Sequence, residues 1–221
     1  MKARPLPPFV WPLVTVDIDG TLTTVHGWKV IADAMGRSEE FARTHRRFFA
    51  REIGEDEHLR DMLEVAEGRL LSEVEAALAS TPRIRGIAEG VRALHDRGTR
   101  VALLTHNPAY VCRWYCRTFG FDDFEGTDAQ AVVGGIIQAP HLVRADKPAG
   151  LRALTARTGT TVHRVVHIGD GWADAALFPL VGRGVALNSS RPEVERAADL
   201  SLRAADFRAV VDALGALRPR S

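Results

Sequence analysis

The sequence predicts an α/β fold, a doubly wound parallel sheet with a small all-helical segment inserted after its first strand. Three observations carry this. A short apolar, β-prone run over residues 13–18 stops abruptly at Asp19-Gly20, a turn signal. From His26 to about Ala79 apolar residues recur only at helical spacing. After Thr81-Pro82 helix and strand patterns alternate to the end of the chain, as in sheets with helices on both faces.

Taken in order, the opening MKARPLPPFVWPLV is too proline-rich for the apolar part of a signal peptide and reads as a loose tail before the first strand. In the helical stretch the apolar groups are Val30, Ile31 and Ala34; Phe41, Phe48 and Phe49; Leu59, Met62 and Leu63; and Leu70, Leu71, Val74, Ala77 and Leu78. They predict three or four short helices. A helix over 87–97, a buried strand over 101–105 and a helix over 108–119 follow. Ala131-Val132-Val133 and Ile136-Ile137 flank Gly134-Gly135, the signature of a hairpin whose turn needs positive φ. The alternation then resumes with helix 148–158, strand 165–168, helix 173–178, strand 184–187 and helix 207–214. Two domains are expected, a core of residues 1–23 and 84–221 and a helical domain of residues 24–83.

Composition excludes several function classes. Of 221 residues 46% are apolar and 26% charged, a balance that folds rather than stays disordered. With 29 basic against 28 acidic side chains the net charge is +1, so no global field favours nucleic acid or an anionic membrane and a small substrate is expected. The run Arg43, His45, Arg46, Arg47 and Arg51 has Glu39, Glu40 and Glu52 beside it; it reads as a solvated helix face and receives no role. Cys112 and Cys116, spaced i,i+4 on a predicted helix, are too far apart for an unstrained disulfide and too few for zinc. A reduced, cytoplasmic protein is expected, with no membrane partner, since no apolar run is long enough to span a bilayer.

Parallel sheets bind ligands beyond the carboxyl ends of their strands. The residues predicted there are Asp17 and Asp19; Thr105, His106 and Asn107; and Asp170, with Lys147 just before a helix. Singly these are weak signals, because Asp and Gly close many strands by favouring turns. Together, VDIDGTLT, LLTHN, Lys147 and HIGDGWAD fall where the sheet brings its loops together.

In these four motifs the chain resembles the haloacid dehalogenase superfamily, from about residue 13 to residue 214. Asp17-Ile18-Asp19-Gly20-Thr21 matches the first motif of that family, Thr105 the second, Lys147 the third, and Gly169-Asp170-Gly171-Trp172-Ala173-Asp174 the fourth. The resemblance implies a Rossmann-like core with a helical cap and a phosphatase acting on a small phosphorylated metabolite. It also implies Asp17 as nucleophile, Asp19 as general acid and base, and Thr105 and Lys147 as phosphate-binding groups. Mg²⁺ is the implied cofactor, held by Asp17, the Asp19 carbonyl and Asp170, with Asp174 close by or behind. The chemistry agrees: a phosphomonoester carries roughly two negative charges, so a carboxylate approaches phosphorus only where cations offset the repulsion. Asp19 favours phosphoryl transfer over dehalogenation, because a departing halide needs no proton.

Within the superfamily the helical insertion resembles that of the phosphoserine phosphatase group, but three positions depart from it. His26 stands where that group carries a glutamate for the substrate amine, Thr105-His106-Asn107 replaces Ser-Gly-Gly, and Ala173 replaces an asparagine. Arg60 is the nearest counterpart of its carboxylate-binding arginine. His26 is a candidate substrate contact or a hinge residue. His106 and Asn107 either read substrate or cap the helix after Pro108, Trp172 lines the pocket or packs a helix start, and His167 reads as a core residue. A phosphomutase and a catalytically silent phospho-ligand binder are the alternatives; the first shares the same residues, and the second has no need of all four of Asp17, Asp19, Lys147 and Asp170.

Overall fold

A computed structural model describes residues 11–141 and 146–220; the expected N-terminal tail lies largely outside them. The first strand, β1 (Leu13–Val16), is buried along its whole length and lies at the centre of a six-stranded sheet. Its partners are β2 (Arg100–Pro108) and β6 (Val165–Gly169), with Val16 level with Leu103 and Ile168. Beyond them lie β3 (Asp123–Thr127) on one side and β7 (Arg183–Leu187) and β8 (Leu200–Leu202) on the other. The order is β3-β2-β1-β6-β7-β8 and every pair is parallel. The doubly wound α/β architecture is thus the one the sequence predicts.

Both faces of the sheet are covered, which is why its strands read as continuous apolar runs. Val14, Val16, Val101, Leu103, Val166 and Ile168 share a core with α5 (Ile87–His95), α6 (Ala109–Phe119) and α10 (Phe207–Leu214). The alternate set, Leu13, Ala102, Leu104 and Val165, packs on Leu151 and Leu154 of α7 (Lys147–Thr158) and on Leu177 and Val181. Asp146 caps α7 by accepting a hydrogen bond from the Ala149 amide, and Pro148 fits its first turn. Lys147 is thereby fixed at the end of α7 that faces the strand termini.

Between β1 and α5 the chain forms four helices, α1 (Gly27–Ala34), α2 (Ser38–Phe49), α3 (Glu55–Glu64) and α4 (Leu71–Ser80). Trp28, Ile31, Phe41, Leu59, Met62, Leu63, Val74 and Leu78 form their buried stripe. The outgoing and returning chains are tied together: the Thr24 amide donates to the Pro82 carbonyl at 3.0 Å and the Ile84 amide to that of Leu22 at 3.0 Å. The hairpin of β4 (Val132–Val133) and β5 (Ile136–Ile137) docks between α3 and α4. There the Gly68 and Leu71 amides donate to the Ile137 and Gly135 carbonyls. Gly134 and Gly135 have φ of 58° and 81°, the turn that the glycine pair permits.

Some elements differ from expectation. β1 ends at Val16 rather than at residue 18, because the amides of Thr21, Leu22 and Thr23 converge on the Ile18 carbonyl and curl the chain into a turn. β2 runs on to Pro108 after an irregularity beyond Leu104, where its register with β3 shifts. β3, β8 and the short α9 (Pro192–Ala197) have no counterpart in the periodicity reading. α8 (Trp172–Ala175) is one turn where a longer helix was expected.

Candidate active site

At the carboxyl ends of β1, β2 and β6, under the four inserted helices, lies a cavity of about 350 Å³. Its floor comprises Asp17, Asp19, Gly20, Thr105, His106, Asn107, Lys147, Asp170, Asp174 and Arg191. His26, Trp28, His45, Phe48, Phe49, Glu55, His58, Leu59 and Met62 line the helical side, and Trp172 joins them across the mouth. Nine of the residues singled out in the sequence, Asp17, Asp19, His26, Thr105, His106, Asn107, Lys147, Asp170 and Asp174, line this one cavity.

A buried ion cluster sets its electrostatics. Lys147 Nζ lies 2.6 Å from Asp174 Oδ1 and 3.1 Å from Asp17 Oδ1, and all three side chains are nearly inaccessible. Burial alone would lower the lysine pKa, but Asp17 and Asp174 outweigh it and keep the ammonium charged. Burial likewise opposes ionisation of Asp174, yet Lys147 and His167 hold its pKa below the usual carboxylate range. Asp17 goes the other way: burial, with Asp174, Asp170 and Asp19 adding to it against Lys147, pushes its carboxyl up to about 8. Asp170 is pushed up to about 6, by burial first and then by Asp174. Thr21 Oγ1 donates to Asp170 Oδ1 at 3.1 Å and Arg191 lies 3.4 Å from its other oxygen.

Ligand oxygens of Asp17, Asp170 and Asp174 come within 4.8 Å of one another. An all-oxygen donor set of this kind fits a hard divalent cation such as Mg²⁺, and the raised pKa values of Asp17 and Asp170 mark a place short of positive charge. Asp174 is the most committed of the three. Its Oδ1 accepts from Lys147 and His167 at 2.6 and 3.0 Å, and its Oδ2 from the Asp170 and Gly171 amides at 3.1 and 2.9 Å. Asp17 and Asp170 are the more open ligands. Gly20, at φ 80°, lets the turn after β1 touch this cluster; a Cβ there would clash with Asp170 Oδ2.

Asn107 organises the second half of the floor. Its Nδ2 donates to Asp19 Oδ2 at 2.8 Å and to Thr105 Oγ1 at 3.1 Å, and its Oδ1 accepts from Trp28 Nε1 at 2.9 Å. It does not cap α6, whose first turn has no side-chain cap. Thr105 Oγ1 accepts from both the amide and the Nδ2 of Asn107, so its own hydrogen is left to donate elsewhere. Asp19 Oδ1 accepts from the Gly27 amide at 2.6 Å, and His26 Nδ1 stands 3.8 Å from the same oxygen. Both oxygens of Asp19 are thus oriented at the mouth of the first motif.

Other sequence readings need correction. Arg60 is exposed on α3 and does not line the cavity; His58, two residues before it, does. The basic run on α2 is a solvated face only in part: Arg47 pairs with Glu57 at 3.0 Å, but His45 lines the cavity. The spacing Phe41, His45, Phe48, Phe49 places that histidine in the apolar stripe, which is the signal that identifies it. Arg191, in the loop after β7, was likewise passed over, although the strand predicted over 184–187 and the strand-end rule together point to it. His167 is indeed buried, but it also serves the floor. Because Asp174 can only accept, His167 carries its proton on Nε2, and Nδ1 accepts from Thr15 Oγ1 at 2.9 Å. Cys112 and Cys116 are free thiols, as expected.

Residues 14–179 match the haloacid dehalogenase-like hydrolase family. The chain is 24% identical over 180 residues to a phosphoserine phosphatase of Archaeoglobus fulgidus, a match covering 80% of this chain and 52% of that protein. It is 23% identical over 212 residues to one of Haemophilus influenzae, covering 92% of this chain and 66% of the relative. The chain therefore spans between about half and two thirds of the length of these relatives. Among solved structures, a substrate-bound phosphoserine phosphatase complex superposes with a TM-score of 0.76 at 20% identity, covering 92% of this chain and 98% of that one. A haloacid dehalogenase family hydrolase, t0658, of Salmonella enterica serovar Typhi superposes with a TM-score of 0.79 at 16% identity, covering 90% and 68%. These likenesses establish a shared fold. Among the described residues no helix is long and apolar enough to cross a membrane.

Proposed function

The chain belongs to the haloacid dehalogenase-like hydrolases, and from that premise we propose that it is a Mg²⁺-dependent phosphatase acting on a small phosphomonoester through an aspartyl-phosphate on Asp17. The observation that carries this reading is the placement of Asp17, at the end of the central strand, 3.1 Å from a buried lysine and within ligand distance of Asp170. Asp17, the Asp19 carbonyl and Asp170 would hold the ion, with Asp174 behind them fixing Lys147. When bound, Mg²⁺ supplies positive charge that offsets repulsion between the carboxylate and the phosphate oxygens.

Asp17 then attacks phosphorus, forming an Oδ–P bond as the ester P–O bond breaks. Lys147 and the Thr105 hydroxyl steady the equatorial phosphate oxygens, where charge is concentrated. Asp19, oriented by the Gly27 amide and Asn107, gives its proton to the departing alcohol and afterwards takes one from the water that hydrolyses the aspartyl-phosphate. Residues 24–83 act as a cap over a core of residues 1–23 and 84–221, excluding bulk water and contributing the groups that meet the alcohol.

The test is phosphate release from a panel of phosphomonoesters with and without Mg²⁺. Turnover should require the ion and stop with a chelator. Full activity in excess chelator, with no metal retained on elemental analysis, would remove this mechanism.

A further inference from the structure

Above the carboxylate floor, the inserted helices present the cavity with a wall of rings. His58 stacks on Phe48, with centroids 4.2 Å apart and planes inclined by 10°. His45 meets Phe49 edge-on at 4.7 Å and lies 5.6 Å from His58 and 5.7 Å from His26. Phe49 reaches to within 6.4 Å of Trp172 on the opposite rim.

His58 is only 7% exposed, yet its Nε2 has no hydrogen-bond partner among the described residues, and neither has His45 Nδ1 or His26 Nδ1. Buried polar atoms are nearly always paired. All three nitrogens belong to rings that line the one cavity, where a bound ligand is the partner within reach. Burial, with the neighbouring imidazoles adding to it, pushes the His58 pKa down to about 4 and lowers that of His45. Near neutral pH both rings are therefore uncharged, each with one donor and one acceptor nitrogen.

Charge on this wall is sparse. Among the described residues, the inserted helices contribute one Asp, Glu, Lys or Arg side chain to the lining, the acidic Glu55. The guanidinium of Arg191 is paired with Asp170 and lies 4.7 Å from the centroid of the Trp172 ring. A leaving group with a free carboxylate, such as serine, meets no cation on the helical side. A flat ring with polar edges meets aromatic faces and imidazole edges together.

We propose that the alcohol released by this enzyme carries a planar nitrogen heteroaromatic ring, which lies among Phe48, Phe49 and Trp172 and exchanges hydrogen bonds with His45 and His58. The inference rests on the phosphatase reading and adds the substrate class. A cavity of about 350 Å³ suits it, for pockets that enclose small organic ligands start at roughly 300 Å³.

Two measurements test it, kcat/KM of the Mg²⁺-loaded enzyme and calorimetric binding to the Asp17→Asn protein. Both use pyridylmethyl phosphate, benzyl phosphate, n-butyl phosphate and O-phosphoserine. The pyridylmethyl ester should exceed the butyl ester and phosphoserine by about tenfold or more in each, the sum of ring stacking and one or two hydrogen bonds. His58→Phe and His45→Phe keep the rings and remove the nitrogens, so either variant should shrink the pyridylmethyl-to-benzyl ratio toward one, its folding checked by thermal melting. Equal or better use of butyl phosphate or phosphoserine overturns the proposal, as does a ratio unchanged in both variants. If no ester is hydrolysed but the pyridylmethyl ester still binds about tenfold tighter than the butyl ester, the ring site stands and the phosphatase reading falls.

Discussion

Asp174→Asn alters one atom of a carboxylate that accepts four hydrogen bonds, two at each oxygen. An amide cannot serve both pairs of donors. With its NH₂ toward Lys147 and His167 it opposes an ammonium and an imidazole N–H; flipped, it opposes the Asp170 and Gly171 amides. The site is buried, so solvent does not screen the loss: Lys147 and Asp174 side chains are 5% and 2% exposed. Breaking a buried pair of this kind costs about 3–5 kcal/mol, a large part of a total stability of roughly 5–15 kcal/mol. At roughly 2–4 °C per kcal/mol for a chain of this size, a loss near 4 kcal/mol lowers Tm by about 8–16 °C. Scanning calorimetry at pH 7 reads it, with Lys29→Gln as control, since the exposed Lys29–Asp33 pair is worth about 0–1 kcal/mol. Asp174 is a carboxylate with a depressed pKa, so its contribution is present above the unfolded value of about 3.9 and is lost as pH falls below it. The gap between wild type and variant should therefore hold down to about pH 4 and narrow below. A Tm loss no larger than that of Lys29→Gln would refute the reasoning.

Three further outcomes are expected. Gly20→Ala forces a Cβ at φ 80° against Asp170 Oδ2; it should lower kcat by about tenfold or more, about 1.4 kcal/mol in barrier, with a rise in the Mg²⁺ concentration needed for half activity. Because the raised carboxyls of Asp17 and Asp170 must lose their protons to bind metal, the Tm gain from added Mg²⁺ should grow as pH rises from 5 through 8; a gain independent of pH contradicts this. His58 has a folded pKa pushed down to about 4 by burial. Its contribution to stability is thus full above the unfolded value of about 6.5 and is lost as pH falls toward 4, so His58→Phe should flatten the decline of Tm between pH 6.5 and 4.

Much of the cavity floor was legible in the sequence because Asp17, Asp19, Thr105 and Asp170 stand at or near strand ends beside a glycine or a turn, and sheet topology determines where such residues meet. Asp17 and Asp170 follow, and Thr105 stands late in, strands whose two buried faces make them continuous apolar runs, the strongest local signal available. β3 was missed for the opposite reason: Asp123, Phe124, Glu125 and Gly126 are only half-buried, and their strand state comes from pairing with β2, a tertiary contact. Helix periodicity revealed the four inserted helices, but it leaves unsettled what an amphipathic stripe faces. His45 and His58 look like polar interruptions of apolar stripes until α2 and α3 are placed over the strand ends. Asn107 poses a related problem, for its three partners, Trp28, Asp19 and Thr105, lie as far as 88 positions away. Nothing local distinguishes such a residue from a helix cap.

The central claim is that phosphate passes through a covalent bond to Asp17, and rapid acid quench during turnover, followed by mass mapping of the modified peptide, tests it most directly. With Mg²⁺ and a hydrolysed ester, the wild-type protein should carry an alkali-labile phosphoryl group on Asp17 that forms and decays at rates compatible with kcat. Asp17→Asn should carry none and release no phosphate. A phosphoryl group trapped on another residue, or turnover that survives in Asp17→Asn, would contradict the account.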